Sequence, residues 1–380
     1  MEELAGYFEA VNEKKYKSIA QREGFYGSVL SKHSIKKLAD TTKLVLIGLS
    51  ETRNAFETNV PGNSEIVREY FYQLASINRV EIVDLGNLKS GKKVQDTYAA
   101  LKHITSYFIN RNIIPVFFGG TQDLTLPMVQ GVFNQQSSCE LVIADALVDL
   151  SNDVELHSKN YIEKLHQLYP QNLEQSVVAY QTYLTSSQQQ RFLSDNSINT
   201  MRLGLIRNGW SQVEPLLRDA DLLSFDLSSI RFSDCPGALS TGPNGLYAEE
   251  ACQLVHLAGI SDKLKAVGIF DFQPERDIHN QTAQLIAQLI WHFIQGVSQR
   301  KGDWPAKPIS QYKKIYVKIE KTESDLVFYQ NAQNNRYWIE LPTEQENETR
   351  IVSCSEKDYK DICNNEIPER IWKSISRLLK

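Results

Sequence analysis

Short apolar runs that break off into polar residues, with helix-patterned segments between them, constrain this chain more than any other feature. Lys43 to Leu49 (KLVLIGL), Val80 to Leu85, Ile113 to Phe118, Leu141 to Ala144, Ser176 to Tyr180, Arg202 to Ile206, Leu222 to Leu227 and Lys265 to Phe270 all read as strands. The strongest of them lack the polar alternation of a half-exposed strand, which is the pattern of a parallel sheet covered on both faces. Helical spacing is read at Ser64 to Ile77, with Ser64 a candidate N-cap, and at Val94 to Asn110, Asn160 to Leu168 and Ser186 to Leu193. It recurs at Val213 to Leu217, Glu249 to Gly259 and Asn280 to Gln295. This alternation predicts an α/β fold, three layers α/β/α around a mostly parallel sheet with right-handed crossovers.

The chain divides into three stretches. Residues 1–42 carry an amphipathic helical pattern and a basic segment, Lys32 to Lys37, read as a solvated face. Residues 43–302 hold the α/β pattern. After Gly302 the composition changes: alternating strands are expected at Tyr312 to Lys321, Asp325 to Gln330 and Tyr337 to Leu341, a loop at Glu344 to Arg350 and a closing helix at Pro368 to Leu379. Residues 303–380 are therefore expected to form a small C-terminal appendage. A net charge of -5 without a basic stripe argues against a nucleic-acid surface. No run approaches the roughly 18 to 20 apolar residues that a membrane span needs. The N-terminus has no apolar leader, and five scattered cysteines without a CxxC pair read as reduced thiols in a cytoplasm.

The strand ends carry the candidate chemistry. Val142 to Leu150 (VIADALVDL) puts Asp145 and Asp149 at the carboxyl end of a buried strand, where open α/β sheets place their ligands. The strand before it runs into Gly119-Gly120-Thr121-Gln122-Asp123, and a later one into Ser224-Phe225-Asp226. Three apolar strands ending in polar residues point to one shared cleft. Bland readings stand beside this one. Aspartates at strand ends cap helices and form turns, Gly119-Gly120 marks a tight turn, and Asp123 reads as an N-cap. Cys235 reads as a structural thiol, His157 as an exposed loop histidine, and Trp291 and His292 as core and helix-edge residues.

The order of these motifs resembles one family. Gly119 to Thr125 is similar to a Gly-Gly-Asp-His-Ser motif, Asp145-Ala146-Leu147-Val148-Asp149 to Asp-Ala-His-x-Asp, and Ser224-Phe225-Asp226-Leu227-Ser228 to Ser-x-Asp-x-Asp. These are the motifs of the ureohydrolase superfamily of arginase, agmatinase and formimidoylglutamase. Ile47-Gly48, Pro61-Gly62 and Ile66-Val67-Arg68 also resemble it, as do Pro236-Gly237 with Gly242, and Phe270-Asp271-Phe272-Gln273-Pro274 followed by Asp277 and Thr282-Ala283. The resemblance spans about residues 43–297 and implies an arginase-like fold. It also implies a pair of Mn²⁺ ions, held by two histidines and four aspartates, sharing a hydroxide that attacks a guanidinium or formimino carbon.

Carried over residue by residue, the ligand pattern is broken. Gln122 and Leu147 stand at the histidine positions and Ser228 at an aspartate position, leaving Asp145, Asp149 and Asp226. With Gln122 these form an all-oxygen set that implies at most one divalent cation, Mn²⁺, Mg²⁺ or Ca²⁺, and no two-manganese centre. Asp271 stands at the position of a guanidinium-binding glutamate, and His157 lies in the loop of a proton-shuttling histidine. The implied function is a pseudoenzyme: a binding or scaffold protein with a small guanidino or formimino ligand and an unidentified protein partner. The alternative is a metal-dependent hydrolase of C–N bonds in such compounds, and a third reading is metal-free chemistry on Asp271 and His157. Relatives of this kind imply a homo-oligomer.

Overall fold

The protein's structure, a computed structural model, describes residues 2–16, 38–57, 64–151, 153–319, 325–343 and 349–378. Among these residues, nine strands form one sheet: β1 (Phe8–Glu9), β2 (Thr42–Leu49), β3 (Glu81–Leu88), β4 (Ile114–Gly119), β5 (Cys139–Ala144), β6 (Leu173–Tyr180), β7 (Asn199–Arg202), β8 (Leu222–Asp226) and β9 (Ala266–Phe270). Their order is β1-β3-β2-β4-β9-β8-β5-β6-β7, and every pairing except that of β1 with β3 is parallel. All residues of β4, β8 and β9 are buried, because helices cover both faces. Side chains alternate between the two faces: Leu44 and Leu46 of β2 join one apolar cluster, Val45 and Ile47 the other.

The first cluster packs against the helices Ser64–Phe71, Ala248–Ile260 and Gln281–Ser298, the second against Val94–Ile109, Thr125–Phe133 and Tyr161–Leu168. The expected three-layer α/β/α fold is what the chain adopts. Two of these helices meet at glycines. A Cβ on Gly296 would lie 2.3 Å from the His256 carbonyl oxygen, and one on Gly259 2.3 Å from that of Phe293. Gly296→Ala is expected to force the helices apart and lower stability by about 1 to 3 kcal/mol in thermal melts. Gly204→Ala, whose nearest neighbour would be an Arg202 nitrogen at 3.7 Å, serves as the tolerated control.

Several local expectations are corrected. The strand expected at Arg202 to Ile206 ends at Arg202, and Leu203–Asn208 is a helix whose Leu203 and Ile206 lie on one buried face. Ser64 begins its helix with its hydroxyl turned to the carbonyls of Leu49 and Phe118 rather than to its own helix. The N-terminal stretch has two short helices, Glu2–Ala5 and Glu13–Tyr16, but it also supplies β1 to the sheet edge. Lys32 to Lys37 and Pro61-Gly62-Asn63 lie outside the described residues.

The C-terminal residues form a second, antiparallel sheet of β10 (Lys313–Val317), β11 (Leu326–Asn331), β12 (Arg336–Pro342) and β13 (Thr349–Cys354). β13 begins inside the loop expected to end at Arg350, and the helix Glu356–Cys363 was not expected, while Glu369–Leu378 is the closing helix. Phe328, Ile339, Leu341, Ile362 and Ile371 make a separate core for this unit. Buried polar groups hold it to the larger one. The Ser353 N–H donates to both carboxylate oxygens of Asp219, Arg218 donates to the Cys354 carbonyl, and its guanidinium lies 4.5 Å from the Trp338 ring centre.

Candidate functional site

Four neighbouring strands, β4, β9, β8 and β5, deliver the candidate residues from their carboxyl ends. β4 leaves the sheet through Gly119 and Gly120, both at positive φ (89° and 72°). A Cβ on Gly119 would stand 2.5 Å from the Leu49 carbonyl oxygen, so this exit requires glycine. The turn leads into the short helix Gln122–Leu124. Asp145 follows β5, Asp226 closes β8 and Asp271 follows β9 at φ 67°. Carboxylate oxygens of Asp145, Asp149 and Asp226 come together within 4.8 Å of one another, and all three residues are buried.

The chain wraps these carboxylates in hydrogen-bond donors. Asp145 Oδ1 accepts from the Leu147 N–H at 2.9 Å and from the Ser228 hydroxyl at 2.8 Å. Asp226 Oδ1 accepts from the Ser228 N–H at 2.7 Å. Lys159 brings the one ammonium among the described residues that pairs with the triad: its Nζ lies 3.3 Å from Asp149 Oδ1, with the side chain only 16% exposed. Its loop is pinned on both sides. The Asn160 carboxamide donates to the carbonyls of Asp153 and Glu155, the Ser158 N–H donates to the Asn54 carbonyl, and the Phe56 N–H donates to the Ser158 hydroxyl.

Burial among like charges changes how these groups titrate. Loss of solvent, then the neighbouring Asp145 charge, pushes Asp226 up to about 7. Burial raises Asp149 and Asp271 well above the usual carboxylate range, with nearby carboxylates adding to the effect. Burial opposes the charge of Lys159, but Asp149, Asp145, Asp226 and Asp271 outweigh it and hold the ammonium protonated. Burial also lifts Asp123 to about 6, against a hydrogen bond from the Tyr98 hydroxyl.

The remaining candidates take different places. Gln122 is buried with its amide nitrogen donating to the Ser224 hydroxyl at 3.1 Å. Asp271 is 2% exposed, its N–H donates to the Gly120 carbonyl, and its Oδ1 has no hydrogen-bond partner among the described residues. His157 stands at the rim. Its Nε2 is 2.9 Å from Asp153, its Nδ1 accepts from the Lys159 N–H, and its ring packs on Phe56. Asp123 is not an N-cap, since Thr121 holds that position and the carboxylate faces Tyr98 instead. Cys235 is a buried free thiol whose pKa burial raises, as expected of a structural cysteine.

Sequence reading missed Lys159 and Tyr98, and it gave Asp123 a different role. Lys159 left one signal: it is the only lysine or arginine between Asp145 and Glu163, in the loop that follows two cleft aspartates.

At the other positions that the resemblance assigns to metal ligands, the chain carries different groups. Leu147 offers no side-chain lone pair, the Ser228 hydroxyl donates to Asp145, and Gln122 donates to Ser224. Three carboxylate oxygens within 4.8 Å of one another are a set that an oxygen-preferring divalent ion, with bonds of about 2.0 to 2.6 Å, can use.

A three-layer α/β/α domain with carboxylates gathered at the ends of its central strands defines the class of protein. The model of the arginase family matches residues 58–295, and the chain belongs to that family. Formimidoylglutamase of Staphylococcus haemolyticus is 20% identical over 279 residues, covering 69% of this chain and 88% of its own length. That of Bacillus subtilis is 19% identical over 243 residues, covering 61% of this chain and 74% of its own. Among solved structures, Trypanosoma cruzi formiminoglutamase with Mn²⁺ superposes with a TM-score of 0.63 at 18% identity, covering 71% of this chain and 98% of that one. Proclavaminate amidino hydrolase of Streptomyces clavuligerus gives 0.59 at 15% identity, covering 68% and 92%.

Proposed function

We propose that this chain is a pseudoenzyme of the arginase family, a binding or scaffold protein whose cleft has given up two-metal hydrolysis. One observation carries the reading: around Asp145, the positions that the family pattern assigns to metal ligands hold groups that donate hydrogen bonds or carry no lone pair. A carboxylate satisfied by N–H and O–H donors is stable without an ion. The ligand we assign to the cleft is a small cationic guanidino or formimino compound. The unpartnered Oδ1 of Asp271 supports it, as do the relatives named formimidoylglutamase and amidino hydrolase. We assign a protein partner to the C-terminal unit and, by analogy with the family, a homo-oligomeric state. A cytoplasmic setting agrees with the five free thiols, and among the described residues no helix is long and apolar enough to cross a membrane.

A second reading, a one-metal hydrolase of C–N bonds, is favoured by the convergence of Asp145, Asp149 and Asp226. The test assays Mn²⁺-treated protein against a panel of guanidino and formimino compounds for release of urea or formamide. Release is expected at background and unchanged in Asp145→Ala. Turnover that disappears in Asp145→Ala would replace the pseudoenzyme reading with the hydrolase.

A further inference from the structure

Three buried carboxylates, Asp145, Asp149 and Asp226, converge at the carboxyl ends of β5 and β8, a fourth, Asp271, follows β9, and among the described residues a single ammonium pairs with the triad. Lys159 Nζ is 3.3 Å from Asp149 Oδ1, the two side chains being 16% and 2% exposed. The fields of Asp145, Asp226 and Asp271 act on the same ammonium. The contact is built, not incidental. A lysine on a free loop loses several rotatable bonds to hold such a position. Here Ser158 on one side and Asn160 on the other anchor the backbone before the side chain leaves it.

We infer that Lys159 is the resident cation of this cluster. Its ammonium takes the charge-balancing place that a divalent ion would otherwise fill, and removing it opens a site for one such ion. The inference rests on the reading of the cleft as one without a two-metal centre and adds the reason why a single ion is also excluded. Three observations converge. The triad oxygens lie close enough together to share one ion. The ammonium is against the carboxylate, Asp149, that both cations would need, and a dication brought beside a fixed ammonium at low dielectric is repelled. Asp271 keeps a buried Oδ1 with no hydrogen-bond partner among the described residues, so an oxygen at the carboxyl end of β9 is left with no donor of its own. Without Lys159 the cluster loses the ammonium that balances it, and oxygen ligands with unbalanced charge are what hard divalent cations select.

The experiment uses the full chain, stripped with chelator, and titrates Mn²⁺ while following the electron paramagnetic resonance of the free ion. Wild type is expected to take up no stoichiometric Mn²⁺. Lys159→Met is expected to bind one equivalent at least about tenfold more tightly than wild type, and Lys159→Met/Asp149→Asn to lose it. Wild type binding one equivalent as tightly as the variant would overturn the inference and leave the pseudoenzyme reading intact. Wild type binding two equivalents would overturn both. A folded Lys159→Met that binds nothing would also sink the inference. Should that variant fail to fold, Lys159→Gln keeps a long polar side chain and is held to the same expectation. The wild-type melting midpoint needs no variant: it is expected to be the same with and without Mn²⁺, and a rise with metal would count against the inference.

Discussion

Arg68→Met lowers the stability of the chain by about 3 to 5 kcal/mol, measured by denaturant unfolding, because it strands a buried carboxylate. The guanidinium is 1% exposed and Asp84 is fully buried. Arg68 Nε donates to Asp84 Oδ2 at 2.9 Å and Nη2 to Oδ1 at 3.1 Å, a two-pronged pair of the kind that arginine geometry favours. The same side chain donates to the Gly86 carbonyl at 2.8 Å and to Asn87 Oδ1 at 2.6 Å, tying the helix Ser64–Phe71 to β3. Methionine fills the space but leaves Asp84 with the Tyr72 hydroxyl and the Gly86 N–H and without a cation. The double change Arg68→Met/Asp84→Leu removes both charges and is expected to recover much of the loss. A loss below about 1 kcal/mol in the single variant would mean that water reaches Asp84 and the pair is not the keystone of this helix.

In chelator, the melting midpoint falls as pH rises from about 5.5 to about 8, and Asp226→Asn flattens that fall. Asp226 keeps its proton up to about 7 in the folded chain, first through burial and then through the charge of Asp145. In the unfolded chain it loses the proton near about 4. A group that binds its proton more tightly when folded stabilises the fold fully below its unfolded value and loses that contribution as pH climbs through its folded one. Asp123 and Asp219, both lifted to about 6 chiefly by burial, act in the same direction, as do Asp149 and Asp271. Glu51, Glu140 and Asp234 are lowered instead, so their contributions are already complete at about pH 5.5 and do not mask the slope. At about pH 8 Asp226→Asn is expected to be more stable than wild type by a few kcal/mol, since each tenfold change in proton affinity is worth about 1.4 kcal/mol. A midpoint that rises across the window would show that the cluster is ionised and compensated by another cation.

Much of the fold was legible because its signals are local. β4, β8 and β9 are apolar over their whole length, and the helices Val94–Ile109 and Gln281–Ser298 carry their own periodicity. The misreadings fall where local pattern is thin. Arg202 to Ile206 contains a strand end and a helix start, and both are apolar enough to pass for one strand. β1 is two residues long and exists only because β3 offers it an edge. At the site, Asp145, Asp149 and Asp226 could be found because parallel topology sends strand ends to one place. Lys159 could not be. A lysine in a polar loop reads as solvated, and what buries this one is a set of bonds to Asn54 and Phe56, about a hundred positions earlier in the chain. The contact of Asp123 with Tyr98 is non-local in the same way.

The C-terminal sheet is fastened beside the amino ends of the strands, where Lys263, Lys265, Glu140 and Arg350 line a cavity of about 740 Å³ between the two units. The carboxylates gather at the opposite ends. The molecule is therefore two-ended. On the function proposed above, a visitor to the cleft and a companion at the small sheet would approach from opposite poles and would not jostle for room.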